Sequence, residues 1–169
     1  MEEIINKVAN SGLITIDLEE MFPLGDRIVF DIKPILIEEL LLREKDFRAF
    51  VKTNDWSLYK DKFVAVYCSS EAIIPRWAWM LVASSLEPFA KKIVFGDKTV
   101  LEESLFHELI STLDIEIYRD QKVVIKGCSN KPVPISAYLE LTARLRPVVK
   151  SIMYGEPCST VPVYKRKEE

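Results

Sequence analysis

Apolar positions along this chain follow two rhythms. Short, nearly continuous apolar runs sit at residues 13–17 (Leu-Ile-Thr-Ile-Asp), 27–32, 63–67 (Phe-Val-Ala-Val-Tyr), 92–95, 123–126 and 151–154. Runs of this length, rich in Val, Ile and aromatic residues, predict strands, and the least interrupted ones predict strands covered on both faces. Between them, apolar residues recur at helical spacing. This predicts helices over 37–51, 73–90, 100–113 and 135–145. The second carries Ile74, Trp77, Met80, Leu81, Leu86 and Phe89 on most sides, and the third has Leu101, Leu105, Phe106, Leu109 and Ile110 on one side.

Strands alternating with helices predict βαβ units. The expected architecture is α/β and three-layer: a mainly parallel sheet with helices on both faces, flavodoxin- or Rossmann-like. Counting the core strands from residue 63, the expected order is 2-1-3-4. The first two runs form an added N-terminal strand pair across the Pro23-Leu24-Gly25-Asp26 turn. A single domain over 1–169 is expected, with a less regular part (1–60), a βαβ core (61–155) and a C-terminal tail (156–169). No internal repeat and no low-complexity linker stands out.

Length and composition narrow the classes. The chain has 169 residues, 49% hydrophobic and 29% charged. It is long and apolar enough for a core without disulfides or metals. Its net charge of −3 argues against broad nucleic-acid binding, which needs clustered cations. The basic run Lys165-Arg166-Lys167 is followed by Glu168 and Glu169 and reads as a solvated tail. No apolar run approaches the roughly 20 residues that span a bilayer, and no signal-peptide pattern follows the acidic start Met1-Glu2-Glu3. The expectation is a cytoplasmic protein without a membrane or nucleic-acid partner.

Candidate chemistry sits at the strand ends. Gly96, Gly127 and Gly155 close strands. Each cysteine follows a strand: Cys68 after Tyr67, Cys128 after Gly127, and Cys158 after Gly155-Glu156-Pro157. Parallel strands point one way, so the three thiols are expected on the sheet rim where such folds bind ligands. In the order 2-1-3-4 the cysteine-bearing strands are neighbours, about 4.8 Å apart. That is close enough for their loops to converge on a metal with Zn–S bonds of about 2.3 Å. Cys68 precedes Ser69-Ser70-Glu71 at a helix start, where a thiolate is favoured. Arg76 and Lys131 add positive charge, and Ser129 and Glu156 are neighbours. The competing reading is that these are small buried hydrophobes, since no Cys-x-x-Cys pair is present.

Other residues carry less. His107, the single histidine, falls on a polar helix side, which weakens Ser-His-Asp and Cys-His chemistry. No phosphate-cradling glycine loop occurs. Trp77 reads as core, while Trp79 faces elsewhere and can pack on a partner. Glu38 and Glu39 read as surface, Asp31 as a strand-end residue near the site, and Tyr164 as packing the tail.

Segments 68–80 (Cys-Ser-Ser-Glu-Ala-Ile-Ile-Pro-Arg-Trp-Ala-Trp-Met), 126–134 (Lys-Gly-Cys-Ser-Asn-Lys-Pro-Val-Pro), 154–165 (Tyr-Gly-Glu-Pro-Cys-Ser-Thr-Val-Pro-Val-Tyr-Lys) and 6–14 resemble an uncharacterised Bacteroidota family, domain-of-unknown-function family 2480. The resemblance implies no reaction. It does imply a link, through gene neighbourhood, to iron–sulfur cluster assembly of the sulfur-mobilisation type. The first expectation is therefore a metal- or iron–sulfur-binding accessory protein. Cys68, Cys128 and Cys158 would hold an iron–sulfur cluster, zinc or iron, with iron–sulfur assembly proteins as partners. The alternatives are a thiol-based redox or sulfur-relay enzyme using Cys68 or Cys128, and a non-catalytic protein-interaction module with buried cysteines. No complete catalytic signature decides whether the protein is an enzyme.

Overall fold

The structure, a computed structural model, describes residues 12–127 and 130–167. Its strands are β1 (Leu13–Asp17), β2 (Arg27–Asp31), β3 (Phe63–Tyr67), β4 (Lys92–Phe95), β5 (Lys122–Lys126), β6 (Ser151–Glu156) and β7 (Ser159–Lys165). Its helices are α1 (Glu44–Thr53), α2 (Arg76–Leu86), α3 (Lys98–Thr112) and α4 (Ile135–Leu145). The α/β class and the parallel strands are as predicted. Among the described residues every pairing between these strands is parallel except that of β6 with β7.

Two elements of the expected topology are corrected. The first two strands do not pair with each other. Instead β1 pairs with β5 and β2 with β3, because each N-terminal strand takes the open edge of a different buried strand. The order 2-1-3-4 fails for the same reason. β4 lies beside β3 and β6 beside β5, but β3 and β5 belong to separate sheets, ordered β2-β3-β4 and β1-β5-β6-β7.

The chain divides into two compact units, Leu24–Ser104 and the pair of segments Met1–Pro23 and Leu105–Glu169. Each has its own core. In the Leu24–Ser104 unit, Phe30, Val64 and Val66 on the sheet pack with Phe47 of α1 and with Ala78, Val82 and Leu86 of α2. In the other unit, Ile16, Val123, Ile125 and Ile152 pack with Phe106 and Ile110 of α3 and with Ala137, Leu141 and Leu145 of α4. The every-fourth-residue stripes on α2 and α4 are what an amphipathic helix needs to cover one sheet face. Burying each phenylalanine side chain contributes about 1.5–3 kcal/mol.

These two cores are copies, so the expectation of no internal repeat is also corrected. One constant shift in numbering takes Phe63 to Lys122 and carries β3, α2 and β4 onto β5, α4 and β6. The strand registers match: Phe63 faces Lys92 as Lys122 faces Ser151. Arg27 faces Phe63 as Leu13 faces Lys122. The short 3-10 turns Trp56–Tyr59 and Ile115–Tyr118 are each capped by an aspartate, Asp55 or Asp114, that accepts from a backbone N–H two residues on. Asp61 and Asp120 follow at φ 59° and 58°, and their N–H groups donate to Phe89 O and Val148 O. Both second helices have a proline in extended backbone, Pro75 or Pro134, immediately before their first turn. Similarity lies in packing positions and turns rather than in runs of identical residues, and the first strand of one unit precedes the whole of the other.

Candidate functional site

Each unit places its strand ends in the same frame and fills it differently. In the Leu24–Ser104 unit, Asp31 closes β2. Its carboxylate accepts from Lys33 N at 2.9 Å, Ser69 N at 3.0 Å and Ser69 Oγ at 2.6 Å. Burial works to raise its pKa. The bonds from Ser69 and Lys33 and the Lys33 charge outweigh this and hold the carboxyl below its ordinary value. Beside it, half-buried Cys68 lies with Sγ 3.2 Å from Ser70 Oγ. Arg76 opens α2 and is exposed. In the other unit, Asp17 closes β1, accepts from Glu19 N and pairs with Lys126 at 3.2 Å, which also reaches Glu156 at 3.6 Å. The Asp17 hydrogen bond and the Glu156 and Asp17 charges hold the Lys126 ammonium above its usual range. Lys131 donates to Glu19 O at 2.9 Å and lies over the Phe22 ring.

The expected thiol set is divided. Cys68 belongs to one unit, and Cys158 is exposed in the turn between β6 and β7 of the other. Neither is fully buried. Cys128 and Ser129 lie outside the described residues. Among the described residues no group of three or more His, Cys, Asp or Glu side chains is placed to hold a metal ion. His107 is exposed, as its polar helix side predicts, and pairs with Glu140.

One concave feature of the Leu105–Glu169 segment is apolar. A cleft of about 430 Å³ opens between α4 and the β5-β6-β7 sheet. It is lined by Ile125, Val133, Ile135, Tyr138, Thr142, Ile152, Met153, Tyr154 and Val163. The Tyr138 hydroxyl is tied to Gly127 O, and the Tyr138 and Tyr154 rings meet edge to face at 5.9 Å. The Leu24–Ser104 unit holds a counterpart of about 380 Å³, lined by Val66, Trp79, Met80, Ala83, Ile93 and Phe95. Trp79 and Phe95 meet edge to face at 5.0 Å. Under the same numbering shift Val66, Trp79, Ala83, Ile93 and Phe95 fall on Ile125, Tyr138, Thr142, Ile152 and Tyr154. A duplicated cleft with a duplicated aromatic pair is thus a property of the fold unit itself.

The family pattern described as Protein of unknown function (DUF2480) matches residues 2–166. The chain belongs to the DUF2480 family. Neither a curated protein nor a solved structure matches this DUF2480 chain. Among its described residues no helix is long and apolar enough to cross a membrane. The cleft residues were passed over in the sequence because Tyr138, Tyr154 and Phe95 look like ordinary core positions. Aligning the DUF2480 chain with itself would have marked them, since an aromatic residue stands at both members of each pair.

Proposed function

We propose that this DUF2480 protein is a non-catalytic interaction module, and that its α4–β6 cleft takes an aromatic or large aliphatic anchor side chain of a partner protein. The observation that carries this is the chemistry of the lining. Among the described residues the lining holds no carboxylate, amine, thiol or imidazole, and its side-chain oxygens are hydroxyls suited to orienting a ligand. The volume falls in the range of binding pockets, about 300–1,000 Å³. A protein partner is favoured over a small molecule because exposed apolar side chains (Ile135, Leu139, Val161 and Val163) continue the surface outward. Such a rim suits an extended contact around a central anchor. Burying an aromatic anchor of roughly 200 Å² contributes about 5 kcal/mol before the cost of association. A three-thiolate centre has no support from the described thiols.

The test uses 1-anilinonaphthalene-8-sulfonate as the anchor mimic, titrated into native protein and followed by fluorescence. Wild type should give saturable enhancement. Thr142→Trp fills the cleft from α4 and should weaken binding at least about tenfold, which is about 1.4 kcal/mol, with circular dichroism unchanged. Ala83→Trp, in the counterpart cleft, should leave this site intact. The reading fails if wild type gives no saturable signal or if Thr142→Trp binds the dye as wild type does.

A further inference from the structure

The two copies differ at one edge. In the Met1–Pro23 and Leu105–Glu169 unit, β7 runs antiparallel along the outer edge of β6, with Tyr154 facing Val161 and Ile152 facing Tyr164. In the Leu24–Ser104 unit, β4 stands where β6 stands, and among the described residues no strand pairs with its outer edge. The effect on burial is direct. Ile152 is fully buried beneath β7, while its counterpart Ile93 is half-buried. Phe95 is 69% exposed against 36% for its counterpart Tyr154, and Met80 on α2 beside it is 70% exposed. An apolar edge strand left open is a template for another strand.

The backbone of that edge is oriented for pairing. Gly96 N donates to Val66 O of β3. Alternation along a strand therefore turns Val94 toward β3 and turns the N–H and C=O groups of Ile93 and Phe95 outward.

We propose that the β4 edge is a docking surface for β4 of a second copy of this chain, paired antiparallel about a two-fold axis. An antiparallel contact between identical edges is self-complementary. Only one register both sets the outward groups of Ile93 against those of Phe95 and centres the axis on Val94. That register places Ile93 of each copy across from Phe95 of the other, a β-branched and aromatic pair of the kind that stabilises sheets. It also places Lys91, which leads into β4, across from Asp97, which follows it; both are exposed, so opposite charges approach at both ends. The two α2 helices then flank the joint on one face, where Met80 and the Trp79–Phe95 ring pair are available to cover each other. The β6–β7 pairing shows that this fold unit accepts an antiparallel strand at this edge. The charge pattern and self-complementarity make a second copy the occupant.

Full-length protein is examined by sedimentation or by light scattering after gel filtration at about 100 µM, where an interface with a Kd near 10 µM would be mostly filled. Wild type should have twice the mass of one chain. Phe95→Lys, which puts charge on the edge, and Phe95→Pro, which removes an outward N–H, should each give monomer with wild-type circular dichroism. If Phe95→Pro fails to fold, Phe95→Lys decides alone. Val161→Lys on β7 should leave the dimer in place. In hydrogen exchange the Ile93 and Phe95 amides should become protected as the dimer forms. A monomeric wild type, or a dimer that survives Phe95→Lys, overturns the proposal. Dye binding at the α4–β6 cleft is read separately, so this result leaves that reading standing.

Discussion

Arg27, the first residue of β2, and Glu102 of α3 form a two-point ion pair. Arg27 Nε lies 2.7 Å from Glu102 Oε1, and Nη2 lies 3.1 Å from Oε2. Both side chains are only 10% exposed. The guanidinium has further support: Nη1 donates to Gly25 O at 2.6 Å, and the group lies over the Phe63 ring, 5.2 Å from its centroid. Arg27→Ala removes both donors from a buried carboxylate and should cost about 3–5 kcal/mol, the usual result of breaking a buried pair from one side. Glu102→Ala should cost less, about 2–3 kcal/mol, because the cation keeps the Gly25 carbonyl and the Phe63 ring. Replacing both, as Arg27→Met with Glu102→Leu, removes the desolvation penalty with the attraction and should come back to within about 1 kcal/mol of wild type. Urea unfolding of wild type, both singles and the double gives the coupling energy, provided the slopes stay equal. If Arg27→Ala costs under about 1 kcal/mol, the pair behaves like one on the surface, and the claim that it is dry is wrong.

Two further outcomes follow from the turns. Asp31 is held below its unfolded pKa of 3.8 by its hydrogen bonds. The stability it contributes is therefore fully present above that value and is lost as pH falls through the lower folded value. Asp31→Ala should cost about 1–3 kcal/mol at neutral pH. The gap to wild type should narrow in acid below 3.8, and a gap of constant size down to the acid limit would refute the carboxylate's role. Asp61 and Asp120 occupy left-handed backbone, so glycine at either position should be neutral or stabilising, and alanine should melt lower by the equivalent of about 1 kcal/mol relative to glycine. Asp61 is the cleaner of the two, since Asp120 also pairs with Arg166. Equal melting temperatures for the alanine and glycine variants would remove the argument.

Local pattern is legible where an apolar run is short and continuous or a helix stripe is clean. The runs at Leu13–Asp17, Phe63–Tyr67 and Lys92–Phe95 and the helix Ile135–Leu145 match the structure residue for residue, because continuous apolar runs and a clean stripe admit few alternatives. Boundaries were lost where one residue overrides periodicity. The predicted helix over 37–51 begins only at Glu44, because Glu38 and Glu39 adopt φ 49° and 61° in a turn bridging Ile37 to Leu41. The one over 73–90 starts at Arg76, after Pro75, and stops at Leu86, before Pro88. The basic run Lys165-Arg166-Lys167 makes 156–169 read as a tail, whereas Ser159–Lys165 forms β7. As the outermost strand it tolerates Pro162 at an irregular register, and Arg166 is tied to Asp120 and Val148 O rather than solvated.

What the sequence could not carry was pairing between distant segments, and the thiol site depended on that pairing. Placing Cys68, Cys128 and Cys158 on one rim required β3 and β5 to be neighbours. In a duplicated fold each of those strands is the centre of its own sheet, with β2 or β1 already on its other side. The same duplication shows which differences between the copies need explaining. Positions such as Val82 and Leu141, or Phe47 and Phe106, keep apolar character in both halves because the packing demands it. The strand ends answer to no such demand. One copy places a thiol and an aspartate–serine turn there, the other an aspartate–lysine–glutamate chain, and among the described residues one copy alone closes its outer edge with a strand. The scaffold tolerates either choice, so packing does not dictate these departures. The β4 edge and the α4–β6 cleft are accordingly the places where substitution should change interactions while leaving the fold intact.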